Sequence, residues 1–205
     1  VGCGYGRLLD YFKLSGWSTF GVEPGVKASE LCRKNGHYVL TGMLDEQSFN
    51  NNYFSAVILC HSMEHMPNPM ETLNEIFRIM SPGGILIIDV PNSNCADVTF
   101  FKTAWHAWHL PYHTFHWTTQ SLKQALLKAG FTIDHLRYKV PKYSDYIRNY
   151  RNNQNQCVAS NISIPQLLSH ILKAWTIGRL VSYRPQYGHY ISCYAIKNDV
   201  CSKSL

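Results

Sequence analysis

Val1-Gly2-Cys3-Gly4-Tyr5-Gly6 opens the chain, and Arg7–Leu14 follows with Leu8, Leu9, Phe12 and Leu14 spaced for one face of a short helix. Glycines at such a strand-to-helix turn allow positive φ and let the backbone approach a ligand closely. The helix start behind them offers free N–H groups to an anionic or carboxylate group. Thr19–Val22 then reads as a strand with Glu23 at its end, where a carboxylate can accept hydrogen bonds from ribose hydroxyls. The loop alone could be only a tight turn. Loop, helix, strand and terminal Glu23 together point to a nucleoside-type cofactor. The spacing is Gly-x-Gly-x-Gly, and Arg7 stands where a dinucleotide fingerprint needs its third glycine. A nicotinamide dehydrogenase is ranked low on that ground.

Outward from this stretch the chain alternates strand and helix patterns. Val26–Asn35 reads as a helix, His37–Leu40 as a short strand, and Phe54–Cys60 as a strand apolar enough to be buried on both faces. Pro69–Met80 is helical, with Leu73, Ile76, Phe77 and Met80 at i, i+3, i+4 and i+7. Ser81-Pro82-Gly83-Gly84 is a turn before the strand Ile85–Val90. After Pro91 the rhythm breaks until the helix Thr119–Ala129, for which Thr118 is the expected N-cap. Phe131–Tyr138 is a strand, Ile164–Trp175 a helix with Leu167, Leu168, Ile171, Leu172 and Trp175 on one face, and His189–Ile196 a last strand. The order predicts an α/β fold: a Rossmann-like, doubly wound sheet, mostly parallel with a late antiparallel strand. One domain is expected over residues 1–205, its core at 1–138 and 188–197, with 139–187 as a substrate cap.

Several segments in order resemble the class I S-adenosylmethionine-dependent methyltransferases, closest to the subgroup of ubiquinone-biosynthesis and sugar methyltransferases. The Gly2–Gly6 loop resembles the family's first motif, and Gly21-Val22-Glu23-Pro24 its ribose-binding motif. Phe54 through Cys60-His61-Ser62-Met63-Glu64-His65 resembles its fourth strand with the following Glu-His, and Met66-Pro67-Asn68-Pro69 continues the pattern. Ser81–Gly84 resembles the turn before strand five. Pro111-Tyr112-His113, Ser121-Leu122 and Ala129-Gly130-Phe131 resemble the approach to strand six. The resemblance implies S-adenosyl-L-methionine as cofactor, held by Gly2, Cys3, Gly4, Tyr5, Gly6, Glu23 and Pro24. It places Cys60 and His61 at the methionine end. Two departures stand out. The acidic residue usual just before the first Val-Gly would stand ahead of Val1, where this sequence starts one residue too late to show it, and Met43 stands where the family often has Asp near the adenine. Any adenine contact is therefore expected from backbone or from apolar packing by Met43 and Leu44.

Methyl transfer from a sulfonium needs the acceptor held in line with the methyl group, and a base if the acceptor is a hydroxyl or carbon acid. Histidine suits that task near neutral pH. His65, just after strand four, and His113, which matches the family's Pro-x-His, are the candidate catalytic residues. His106, His109, His113 and His116 have helix-like spacing, but Pro111 interrupts any such helix. An aromatic-lined substrate loop is favoured there over a metal site, and no metal is expected. Trp105, Trp108, Trp117 and Tyr112 would be its apolar walls or ordinary core.

Composition narrows the partners. The 205 residues are 45% hydrophobic and 16% charged, which excludes disorder. The most apolar run, Gly84–Val90, is too short to span a bilayer. Lys and Arg exceed Asp and Glu by 19 to 13, a mildly basic surface densest from Arg137 to Arg151 among tyrosines. Nucleic acid is disfavoured as substrate: His61–Glu64 occupies the place of an Asn/Asp-Pro-Pro-Tyr/Phe motif, and no Pro-Cys occurs. A small-molecule acceptor is preferred, such as a quinone or phenol precursor, a sugar or a related metabolite. A non-catalytic module that only holds the cofactor is the alternative. The seven cysteines include no CxxC, so neither a disulfide framework nor a zinc ribbon is read, and a cytoplasmic setting is expected. Val1 would be the last residue of a central first strand, so the sequence is read as a fragment.

Overall fold

The computed structural model describes residues 1–140 and 164–198. Residues 141–163 of the expected cap, with the basic residues from Lys142 to Arg151, the Asn-rich stretch 149–156 and Cys157, lie outside the described residues, as does Cys201.

The elements run α1 (Arg7–Leu14), β1 (Phe20–Glu23), α2 (Val26–Lys34), β2 (Tyr38–Thr41), β3 (Phe54–Cys60), α3 (Pro69–Ile79), β4 (Met80–Pro91), α4 (Ala96–Phe101), α5 (Thr119–Lys128), β5 (Phe131–Lys139), α6 (Ile164–Tyr183) and β6 (Tyr190–Lys197). Short 3₁₀ turns at Leu44–Glu46, Met63–His65, Lys102–Ala104, His106–Trp108 and Pro185–Tyr187 lie between them. β1 and β2 form a parallel pair, while a four-stranded sheet has the order β3-β4-β6-β5. β3 and β4 are parallel, and β6 is antiparallel to both of its neighbours. The late antiparallel strand therefore lies between β4 and β5 rather than at an edge. Residues 1–3 connect the two sheets: Val1 N donates to Ile58 O at 2.9 Å, and Gly2 N to Val22 O at 2.8 Å.

Apolar burial builds three clusters. The largest joins β3, β4, β5 and β6 to α3 and α5 through residues such as Leu59, Leu73, Ile76, Ile88, Leu126 and Ile191. A small one, Leu9, Cys32 and Val39, ties α1 and α2 to β2. A third gathers Cys95, Phe101, Trp105, Ile177 and Val181, from α4, the turns after it and α6.

Several expectations shift. β3 alternates, with Val57 and Leu59 buried but Ala56, Ile58 and Cys60 only partly so, because one face of the sheet is covered less completely. The turn at Ser81–Gly84 becomes a bulge inside β4: pairing passes from Phe54↔Met80 to Ala56↔Ile85, and Gly83 adopts φ +74°. The region without rhythm after Pro91 holds α4. α6 runs on to Tyr183, and among its described side chains Ile177 and Val181 are buried, while Leu172 and Trp175 are exposed. Its packing partners are α4 and the turns that follow, which its own periodicity could not identify. Trp105 and Trp117 are buried core residues, not walls of a loop, and Tyr112 is exposed.

Candidate active site

A cavity of about 330 Å³ opens between the ends of β1, β2 and β3, at the carboxyl end of parallel strands, where ligands of open α/β sheets bind. Val1, Gly2, Gly4, Val22, Glu23, Pro24, Gly42, Met43, Leu44, His61, Ser62, His65, Met66 and Thr72 line it. Its volume lies within the range of small-ligand pockets, roughly 300–1,000 Å³.

The glycine loop forms one wall. Gly2 has φ +66°, and a Cβ there would come within 2.6 Å of Ser62 Cβ, so glycine lets the loop touch the turn after β3. Gly4 has φ +53°, with nothing within 4 Å of the place its Cβ would take. Gly4 also lines the cavity. Glu23, the last residue of β1, bridges two backbone amides: Oε2 accepts from Gly4 N and Oε1 from Gly25 N, each at 2.8 Å. Loop and carboxylate are thereby held against each other, with acceptor capacity left for a ligand's hydroxyls.

The other predicted residues divide. Pro24, Met43, Leu44 and His61 line the cavity. Cys3, Tyr5, Gly6 and Cys60 do not. The Cys3 thiol points under the loop toward Gly21, and burial together with Cys32 pushes it up to about 11. Tyr5 is largely exposed. Gly6 caps α1 in a left-handed conformation. Cys60 Sγ faces Asp89 Oδ2 at 3.9 Å, and burial raises its pKa. Gly42, Ser62, Met66 and Thr72 line the cavity without having been singled out. Only Ser62 and Met66 carried a signal, since they lie inside the quoted His61–Pro69 motif.

His65 and His113, 48 residues apart, meet with ring centroids 4.6 Å apart. Their meeting is built on Glu64. Its carbonyl accepts from Thr114 N at 2.9 Å and Phe115 N at 3.2 Å, while Thr114 Oγ1 donates to Met66 O at 3.2 Å. The segment after His113 is thus pinned to the Met63–His65 turn. His65 Nδ1 lies 2.9 Å from Tyr112 O, and His113 Nδ1 2.8 Å from Ala107 O. A carbonyl only accepts, so each Nδ1 is the donor, and in the neutral ring the lone pair lies on Nε2. Burial lowers the pKa of His113 below the usual 6.5, against a smaller upward pull from the Ala107 carbonyl, so it is a neutral base at pH 7. Glu64 is buried, with Oε1 3.5 Å from His61 Nδ1 and Oε2 without a hydrogen bond among the described residues. Glu64, His65 and His113 each place one potential ligand atom within 4.8 Å of the others.

Three comparisons set this geometry among known proteins. The chain matches the ubiquinone biosynthesis O-methyltransferase of Vibrio parahaemolyticus at 23% identity over 107 residues, 49% of this chain and 46% of that protein. It thus spans less than half the length of the curated relatives it matches. The fold is similar to a crystal structure of a SAM-dependent methyltransferase from Archaeoglobus fulgidus, with TM-score 0.67 and 20% identity, over 96% of this chain and 83% of that one. It is also similar to phosphoethanolamine N-methyltransferase 2 of Haemonchus contortus, solved in complex with S-adenosyl-L-methionine, with TM-score 0.63 and 15% identity over 97% of this chain and 47% of that one. These structural likenesses speak for a Rossmann-like methyltransferase fold. The family described as methyltransferase domain matches residues 1–136, well over half of the sequence, so this chain belongs to it.

Proposed function

We propose that this domain transfers a methyl group from S-adenosyl-L-methionine to a hydroxyl or activated carbon of a small molecule. The observation that supports this reading is that Glu23, Gly4 and His65 line one cavity, and that His113, outside the lining, packs against His65. The residues fit the cofactor: Glu23 suits ribose hydroxyls, the loop admits close backbone approach, and Met43 with Leu44 offers an apolar rim for a base. The bound cofactor would supply the electrophilic methyl group. The chain's own residues would hold the acceptor and take its proton at Nε2 of His65 or His113. Family membership supports methyl transfer, and the distant O-methyltransferase relatives support a hydroxyl acceptor, for instance on a phenol or quinone precursor.

Calorimetry with S-adenosyl-L-methionine, followed by product detection across an acceptor panel, tests this. Glu23→Ala is expected to weaken cofactor binding about 10–100-fold, the cost of losing hydrogen bonds to a charged group; unchanged affinity would remove Glu23 from the site. His113→Asn is expected to lower turnover about 10²–10⁴-fold with cofactor affinity kept; intact turnover on an identified acceptor would end its role as base. Tight cofactor binding without turnover on any acceptor would support the module reading instead.

A further inference from the structure

Beyond β4 the chain turns through Asn92–Cys95 into α4, beside the point where β6 begins. Asn92 stitches the two: its N–H donates to His189 O at 2.9 Å, and its Nδ2 donates to Gly188 O at 2.8 Å and Gln186 O at 3.0 Å. The stitch brings together three side chains that the methyl-transfer site does not use. Cys95 Sγ, an Asp97 carboxylate oxygen and a His189 ring nitrogen all lie within 4.8 Å of one another. Cys95 is 2% exposed, and Asp97 and His189 are not exposed at all.

The distances are those of ligands rather than of a hydrogen-bonded pair. His189 Nδ1 stands 3.4 Å from Asp97 Oδ2. A charge-assisted bond between imidazole and carboxylate would close to about 2.7–2.9 Å. Two ligands on one tetrahedral zinc ion, each about 2.0–2.1 Å from the metal, sit about 3.3 Å apart. Among the described residues, neither ring nitrogen of His189 has a hydrogen-bond partner, which is unusual for a fully buried imidazole. The ring is also held in place: His106 stacks on it at 5.0 Å and 16°, and Trp105 and Tyr190 meet it edge-on.

We propose that Cys95, Asp97 and His189 form a zinc site that fastens the start of α4 to the start of β6. A thiolate and an imidazole with one carboxylate favour zinc over magnesium or calcium, which take oxygen ligands. Binding would replace the thiol proton, which passes to solvent. Three protein ligands leave a fourth vertex of the tetrahedron for water. Glu64, His65 and His113 contain no thiol, which makes the two sites separable by spectroscopy, and the readout does not depend on methyl transfer.

The purified chain would be incubated with zinc or cobalt(II), desalted, and measured for retained metal and absorption. One metal ion per chain and a thiolate-to-cobalt charge-transfer band are expected. Cys95→Ser and His189→Gln should each lower retention about tenfold or more, and Cys95→Ser should abolish the band. Cys193→Ser, at a buried thiol in the main core, should keep both. No retained metal, a cobalt form without a thiolate band, or equal retention by Cys95→Ser would overturn the site. The band in the unmodified chain decides the matter even if a variant fails to fold, since its absence alone defeats the proposal.

Discussion

Gly4 holds a left-handed φ beside empty space, so one methyl group there tests the cavity twice. Gly4→Ala would bring about 1–2 kcal/mol of backbone strain at a residue that lines the cavity. The expected result is about a tenfold loss of cofactor affinity in calorimetry with a melting temperature only a few degrees lower, about 2–8 °C. Gly2→Ala would instead meet Ser62 and is expected to cost more stability than Gly4→Ala. His113 gives a pH signature. Burial lowers its pKa in the folded chain, so between that value and about 6.5 the unfolded chain binds more protons than the folded one. Its contribution to stability is therefore full above about pH 6.5 and is lost as pH falls through the folded value. Melting at a series of pH values should show this slope in the parent chain and a shallower one in His113→Asn. At this scale the sequence was most informative: the glycine spacing, Glu23 and the Glu64-His65 pair were all legible, because each is defined by residue type and local order.

α5 begins as its sequence says. The Thr118 side chain accepts from Ser121 N at 3.1 Å, and Ser121 Oγ accepts from Thr118 N at 2.9 Å, a reciprocal cap. Thr118→Ala should cost about 1 kcal/mol and lower the melting midpoint by about 2–4 °C in a domain of this size. Leu126, fully buried in the main core, should cost about 2–5 kcal/mol as Leu126→Ala, a difference that denaturant titration would resolve. Other elements were less legible. The inward face of α6 is set by α4 and the turns after it, and no periodicity within α6 names that partner. The Ser81–Gly84 turn was visible from its proline and glycines, yet its accommodation as a bulge depends on pairing with β3.

Across the whole molecule, β1 and β2 form a sheet separate from the four-stranded one and are joined to it through residues 1–3, and α4 with α6 has a core of its own. Hydrogen exchange should follow this division. β4 and β6 are expected to exchange most slowly, and added S-adenosyl-L-methionine should slow residues 1–6, 23–25, 42–44 and 61–66 while leaving α4 unchanged. Equal protection throughout α4 and the loop on cofactor addition would contradict the cavity as the binding site. No helix of the described residues is long and apolar enough to cross a membrane, in line with the short apolar runs of the sequence. The sequence by itself determined the βα order, the glycine loop with its acidic partner, and the family, because these depend on short-range spacing and on side-chain chemistry. Only the tertiary structure decided that β6 lies between β4 and β5, that His113 reaches His65, and that Cys95, Asp97 and His189 converge. Each of those joins residues at least 48 positions apart or across separate elements, through backbone hydrogen bonds and apolar burial that no local pattern encodes.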